Sequence, residues 1–237
     1  MPVARTTTVI IPALNEEAAV GAVVRAIADP RVGRVIVADN GSTDRTAEVA
    51  RAAGATVITV PERGYGAAVA AGIAAALAPP APPFALATID ADLADDPAEL
   101  ALLLDPLYAD RADLVIGSRV ARAAPGALMP QARFGNALAT ALIRLRYGHA
   151  YTDLGPFRAL TAAALERLAM TDRGYGWTVE MQVRALQRGL RVCEVDVSYR
   201  PRIGRSKISG TVRGVVGAGW TILWTIAREA MRPARRA

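Results

Sequence analysis

Three apolar, β-branched runs in the first half of the chain each stop on a polar cluster that carries a carboxylate. Thr8-Val9-Ile10-Ile11 leads into Pro12-Ala13-Leu14-Asn15-Glu16-Glu17, Val35-Ile36-Val37-Ala38 into Asp39-Asn40-Gly41-Ser42-Thr43-Asp44, and Ala85-Leu86-Ala87-Thr88-Ile89 into Asp90-Ala91-Asp92. Ala-rich stretches of helical length lie between them, the pattern of βαβ units, which implies an α/β chain with a mainly parallel sheet flanked by helices. An open α/β sheet holds its ligand beyond the C-terminal ends of its strands, where all three clusters fall. Strands are expected near 7–11, 34–38, 56–60, 85–89, 113–117 and 191–199, and helices near 16–28, 44–53, 66–77, 97–108, 134–147 and 177–188. Gly54 and Gly189 stand where C-caps belong, and Pro97 where a first-turn proline does. From about Ser118 arginines become dense, and Asp153-Leu154-Gly155-Pro156-Phe157-Arg158 reads as a turn-rich loop. These later elements are expected to extend the same sheet, with no internal repeat.

The 237 residues, 52% hydrophobic and 21% charged, suit a globular protein with a sizeable core. A formal charge of +6 points to an anionic partner: a phosphorylated substrate, a membrane surface or nucleic acid. Nucleic acid is the weakest of these, because aromatics are only 5% and do not interleave with the basic residues. The single cysteine, Cys193, excludes an internal disulfide, and the single histidine, His149, falls in a loop. The N-terminus lacks a signal-peptide pattern and no run reaches the roughly 18 to 20 apolar residues that span a bilayer, so a cytoplasmic location is expected.

Two carboxylates at i and i+2 just past a strand can share a hard divalent cation, and such a cation can carry a diphosphate. A polar loop capping the strand is the alternative. The turn after the first strand holds Pro12 to Glu17 where a dinucleotide fold would need G-x-G-x-x-G, and there is no P-loop. Arg63-Gly64-Tyr65-Gly66 opens a helix whose N-terminus either faces an anion or simply makes a tight turn.

Together these residues resemble the family 2 inverting nucleotide-sugar glycosyltransferases of GT-A fold, and among them the polyprenyl- and dolichyl-phosphate sugar (mannosyl or glucosyl) transferases. The likeness covers most of the chain through Pro12-Ala13-Leu14-Asn15-Glu16, Asp39 to Asp44, Asp90-Ala91-Asp92, Val115-Ile116-Gly117-Ser118-Arg119 and Arg202-Ile203-Gly204-Arg205-Ser206-Lys207. It implies a GT-A catalytic domain over 1–210, with a nucleotide-sugar half at 1–117 and an acceptor half at 118–210, followed by a C-terminal helix and basic tail at 211–237. It implies that Pro12, Ala13, Leu14, Asn15, Glu16 and Asp39 contact the donor nucleotide, and Gly66 of the glycine-rich turn is a further expected contact. Asp90 would lie near the ribose, Asp92 would hold Mg²⁺ or Mn²⁺ on the diphosphate, and Arg119 and Arg133 would face the phosphate of a lipid acceptor. One departure stands out: Ala94 occupies a position where relatives often carry glutamine, so water or Asp95 would complete the cation's ligands.

Lys207 is the only lysine among 28 basic residues, and with Arg202 on a glycine-containing loop it would close over the donor diphosphate. Asp90, Asp92 and Lys207 are accordingly the expected catalytic residues. A phosphomonoester acceptor is anionic at neutral pH and needs no general base. The arginines Arg119, Arg122, Arg133 and Arg158 either suit such a phosphate or decorate the surface. A hydroxyl acceptor would need a base from Asp153, Glu180 or Asp95. The expected activity is therefore metal-dependent transfer of a hexose from a UDP- or GDP-linked donor to a polyprenyl phosphate. The alternatives are a soluble hydroxyl-bearing acceptor, or a non-catalytic nucleotide-sugar binder. Residues 211–230 hold an uncharged run of fourteen between Arg213 and Arg228. That run either lies in a membrane interface with Trp220 and Trp224 at headgroup depth or packs on the domain.

Overall fold

The computed structural model describes residues 5–79, 81–204 and 212–231. Seven strands form one sheet in the order β3-β2-β1-β4-β6-β5-β7. They are β1 (Thr7–Ala13), β2 (Val32–Asp39), β3 (Thr56–Thr59), β4 (Ala85–Thr88), β5 (Leu114–Ser118), β6 (Arg158–Thr161) and β7 (Val192–Asp196). The six strands other than β6 run where the sequence placed them, and β1 to β4 are mutually parallel. β6 is antiparallel to both β4 and β5, while β5 and β7 pair in parallel.

Valine, isoleucine and leucine fill the central strands without alternation because both faces are covered, as a parallel sheet requires. One apolar layer packs under α1 (Val20–Ala26), α2 (Thr46–Ala52) and α4 (Leu100–Tyr108). The other packs under α3 (Tyr65–Leu77), α5 (Pro130–Tyr147), α6 (Ala162–Leu168) and α7 (Trp177–Gln187), with α8 (Val212–Met231) laid across α5 and α7. Pro12, which cannot donate to a ladder, stands past the last β4 partner of β1, the Ile10–Thr88 pair.

Two elements depart from expectation. Arg158, assigned to the turn-rich loop, opens β6, and α6 follows it directly. Both are short, and β6 exists only because β4 and β5 offer free edges on either side of it. Pro97 begins a 3-10 turn (Pro97–Glu99) whose Ala98 N–H donates to Asp96 Oδ1 (3.1 Å), and α4 starts after it.

Candidate active site

The turn after β4 carries the chemistry. Ala94 N–H donates to Asp92 Oδ1 (3.0 Å), and Leu93 between them has a φ of 60°, a left-handed conformation that a leucine holds only when its surroundings impose it. The segment after β7 is hydrogen-bonded onto this turn, Arg200 N–H to Ala94 O (2.8 Å) and Ile203 N–H to Asp92 O (2.9 Å). That lashing delivers Arg202 to Asp92, and its guanidinium pairs with Asp92 Oδ2. Burial, and next the Asp92 charge, push Asp90 up to about 7 against the pull of Arg202 and Arg119.

Two cavities meet at Asp90. The smaller, about 330 Å³, lies over the ends of β1 and β2 and is walled by Pro12, Ala13, Leu14, Glu16, Asn40, Arg63 and Asp92 among others. The larger, about 1080 Å³, is walled by Arg119, Met129, Arg133, Phe134, Arg144 and Asp153 among others. Tyr65, Asp90, Tyr175 and Arg202 belong to both walls, so whatever passes between the cavities passes these four side chains.

Of the residues expected at the nucleotide, Pro12, Ala13, Leu14, Glu16, Asp90, Asp92 and Arg202 wall the smaller cavity. Asn15 and Asp39 do not. Asn15 braces two loops, its N–H donating to Ser42 Oγ (2.9 Å) and its Oδ1 accepting from Thr43 N–H (2.8 Å). Asp39 Oδ1 accepts from Ser42 N–H (3.1 Å), and the neighbouring Asn40 reaches the cavity instead. Gly66 is also absent from the wall: its N–H donates to Gly174 O (3.1 Å), and Ala67 N–H donates to Arg173 O (2.8 Å). The start of α3 is thus capped by backbone carbonyls and does not present those two N–H groups to an anion. Lys207 lies outside the described residues.

On the acceptor side, Arg119 and Arg133 wall the larger cavity, as does Arg144. Arg119 forks onto Asp153, Nε to Oδ2 at 2.7 Å and Nη2 to Oδ1 at 2.9 Å, which holds the Asp153 carboxyl below its ordinary range despite burial. Arg122 instead pairs with Glu99 (2.9 Å). Arg158 is buried behind the 153–157 loop, donating to Gly155 O and to Thr178 O (3.0 Å). Glu180 faces away from both cavities, paired with Arg184 (2.8 Å) and accepting from Thr171 and Asp172 N–H. It is a packing partner, not a base. Asp95 is buried with both carboxylate oxygens unpartnered among the described residues, and is outside both cavity walls. His149 packs on Tyr151 (4.4 Å between rings) and reaches neither cavity.

Sequence reasoning missed Tyr65 and Tyr175, although a signal was present. The tetrapeptide Arg-Gly-Tyr-Gly occurs twice, at Arg63–Gly66 and Arg173–Gly176, contrary to the expectation of no repeat. The two copies are hydrogen-bonded to one another and bring their tyrosines to the same junction.

The donor set fits a hard divalent cation. Asp92 already accepts a positive group, Arg202, and Asp90 beside it is held in a form poised to lose its proton. Among the described residues no three His, Cys, Asp or Glu side chains form a closed cage. Two carboxylates with further oxygens from a bound phosphate is the usual arrangement for Mg²⁺ at a diphosphate.

A family model described as glycosyl transferase family 2 matches residues 8–169. The chain belongs to that family. It is a glycosyltransferase, and the reading as a mere nucleotide-sugar binder falls. An uncharacterized glycosyltransferase of Mycobacterium tuberculosis is 43% identical over 211 residues, covering 88% of this chain and 92% of the relative. A dolichyl-phosphate hexose transferase of Haloferax volcanii is 34% identical over 227 residues, covering 94% and 95% of the two chains. Among solved structures, glucosyl-3-phosphoglycerate synthase of Mycobacterium tuberculosis, in complex with Mn²⁺, UDP and glucosyl-3-phosphoglycerate, superposes with a TM-score of 0.75. It is 26% identical, covering 97% of this chain and 81% of that one. That structure has the GT-A architecture, and the mostly parallel sheet and flanking helices of this chain are the same fold.

Proposed function

We propose that this family 2 enzyme moves a hexosyl group, with inversion, from a UDP- or GDP-linked donor to the phosphate of a polyprenyl phosphate. The observation that carries the reading is the larger cavity. It meets the donor-side pocket at Asp90, Arg119, Arg133 and Arg144 line it, and the other carboxylate of its wall, Asp153, is held in the Arg119 fork. Guanidinium groups bind phosphate oxygens in pairs, and an anionic phosphate oxygen attacks without a proton being removed first. The new bond forms between that oxygen and the anomeric carbon. The bond from the anomeric carbon to the donor diphosphate breaks, and its electron pair leaves with the nucleoside diphosphate.

In this reading Pro12, Ala13, Leu14 and Glu16 hold the nucleotide, with Asp39 and Asn15 fixing the loops behind them. Asp92 and Asp90 would hold Mg²⁺ or Mn²⁺, which when bound neutralises charge on the leaving diphosphate. Arg202, freed from Asp92 when the cation takes its place, would turn to the diphosphate and, with Lys207, close the site against water. Apart from Arg202 and Lys207, residues 1–117 would serve the donor and 118–210 the acceptor, while the outward tryptophans of α8 would rest on the cytoplasmic face of a membrane.

A soluble phosphorylated acceptor is a second reading, favoured by the likeness to glucosyl-3-phosphoglycerate synthase, whose structures include complexes with phosphoglyceric acid. Nucleotide release from a panel of UDP- and GDP-sugars with Mn²⁺ separates the two, run with a short polyprenyl phosphate, with phosphoglyceric acid and with neither. The lipid phosphate is expected to drive release for one donor, and Asp92→Ala to abolish it. Release driven by phosphoglyceric acid alone would replace the lipid reading with the soluble one.

A further inference from the structure

Helix α5 is apolar on two opposite sides. Its inward side, Ala139 and Ile143, is fully buried in the core. Its outward side repeats apolar residues at Phe134, Leu138, Ala141 and Leu145, all exposed, with Phe134 at 71% and Leu145 at 85%. Steps of four, three and four residues keep such a set on one helix face. Helix α8, which packs against α5, shows the same spacing at Trp220, Trp224, Ala227 and Met231, again exposed, with Trp220 at 70%. Two helices packed against one another therefore each present an apolar stripe to solvent. Isolated surface apolar residues need no explanation, but two such stripes on helices in contact, with two tryptophans, do.

We propose that these stripes together form the surface by which the protein docks on an anionic lipid bilayer, with α5 contributing as much as α8. Two observations choose a bilayer over a protein partner. The first is charge. Arg133, Arg144 and Arg146 are exposed, make no ion pair among the described residues, and α5 carries no acidic residue at all. A second copy of this chain would set these arginines against their own images across a two-fold axis, whereas anionic headgroups meet them with opposite charge. The second is continuity. Phe134, Ala141 and Arg144 on α5 and Ile222 on α8 wall the larger cavity, so that cavity opens beside the stripes. A lipid whose tail stays in the bilayer could present its phosphate to Arg133 without leaving the membrane. This purpose rests on the lipid-phosphate reading above, but the docking itself does not.

Leu145→Glu and Trp220→Glu test the surface, since both side chains are outside the cavity wall. Co-sedimentation of the full chain with vesicles of equal phosphatidylcholine and phosphatidylglycerol is the readout, with pure phosphatidylcholine vesicles for comparison. Each variant should bind the mixed vesicles at least about tenfold more weakly while keeping the wild-type melting temperature. Wild type should bind pure phosphatidylcholine more weakly than the mixture. Turnover with a short, water-soluble polyprenyl phosphate should be unchanged in both variants. Wild-type vesicle binding by Leu145→Glu would remove α5 from the surface. A wild-type dimer broken by either substitution would show that the stripes meet a second copy instead. If vesicle binding behaves as expected and no lipid phosphate is glycosylated, the docking surface stands and the acceptor assignment falls.

Discussion

Asp95 is buried with neither carboxylate oxygen receiving a hydrogen bond from the described residues, near Asp90, Asp92 and Asp153 as well as Arg119. Burial, reinforced by the three carboxylates, pushes its carboxyl well above the ordinary range despite the pull of Arg119. The folded state therefore binds this proton more tightly than the unfolded chain does, and stability contributed here is lost as pH rises above the unfolded value of about 4. Asp95→Asn cannot ionise. Urea unfolding should find it more stable than wild type at pH 7 by at least about 1 kcal/mol, with the gap narrowing towards pH 4. A variant less stable at pH 7 would mean that the charged carboxylate is held by a partner. Asp153 is the opposite case, since Arg119 stabilises its charge. Asp153→Asn should lower stability by about 3 kcal/mol, because it leaves a largely buried guanidinium without its fork. The same substitution should reduce turnover with a lipid phosphate, since Arg119 then loses the anchor that aims it at the cavity.

At the scale of elements, the two Arg-Gly-Tyr-Gly loops show how backbone space sets side-chain position. Gly64 has a φ of 141°, and a Cβ there would meet Arg173 O; a Cβ on Gly66 would come within 2.5 Å of Asp172 O. Gly66→Ala should therefore push the 172–174 loop off the start of α3, move Tyr175 away from Asp90 and weaken UDP or GDP binding about tenfold by calorimetry. Unchanged donor binding would show that Tyr175 is not positioned by this contact. What the sequence disclosed of this region follows from the same physics. Strand ends were legible because β1, β2 and β4 are buried on both faces and end sharply in polar residues. β6 was not, because a four-residue strand opening with a buried arginine gains its identity from neighbours distant in the chain. The carboxylates of the 90–92 turn were legible from spacing, but that Arg202 pairs with Asp92 depends on the lashing of 200–203 onto the 92–94 turn. The outward stripe of α5 was hidden because its periodicity shows two apolar faces and only packing decides which one is buried.

For the whole molecule, α8 is the piece that ties the outer surface to the catalytic core. Its inward side buries Thr225, Ile226 and Glu229, and Glu229 pairs with the buried Arg184 of α7 at 3.1 Å. Arg228 reaches Glu180 (3.4 Å) and Asp172 (3.6 Å), so α8 grips the loop that carries Tyr175. The helix thus packs on the domain through one side, one of its two sequence-based alternatives, and exposes Trp220 and Trp224 on the other. Removing residues 212–237 would take away one of the two carboxylates that pair with Arg184, leaving Glu180, and would uncover apolar surface of α5 and α7. Losing one arm of this buried ion-pair network and exposing that apolar surface together cost on the order of a few kcal/mol, a large part of the stability of an ordinary domain. The truncated chain should therefore melt at least several degrees lower and bind donor nucleotide more weakly, even with no membrane present. Loss of vesicle binding on truncation would then mix unfolding with loss of contact, whereas Trp220→Glu leaves the inward side intact. A truncated chain that kept the wild-type melting temperature and donor affinity would show that the Arg184–Glu229 pair adds nothing to the fold, and that α8 only rests on the domain.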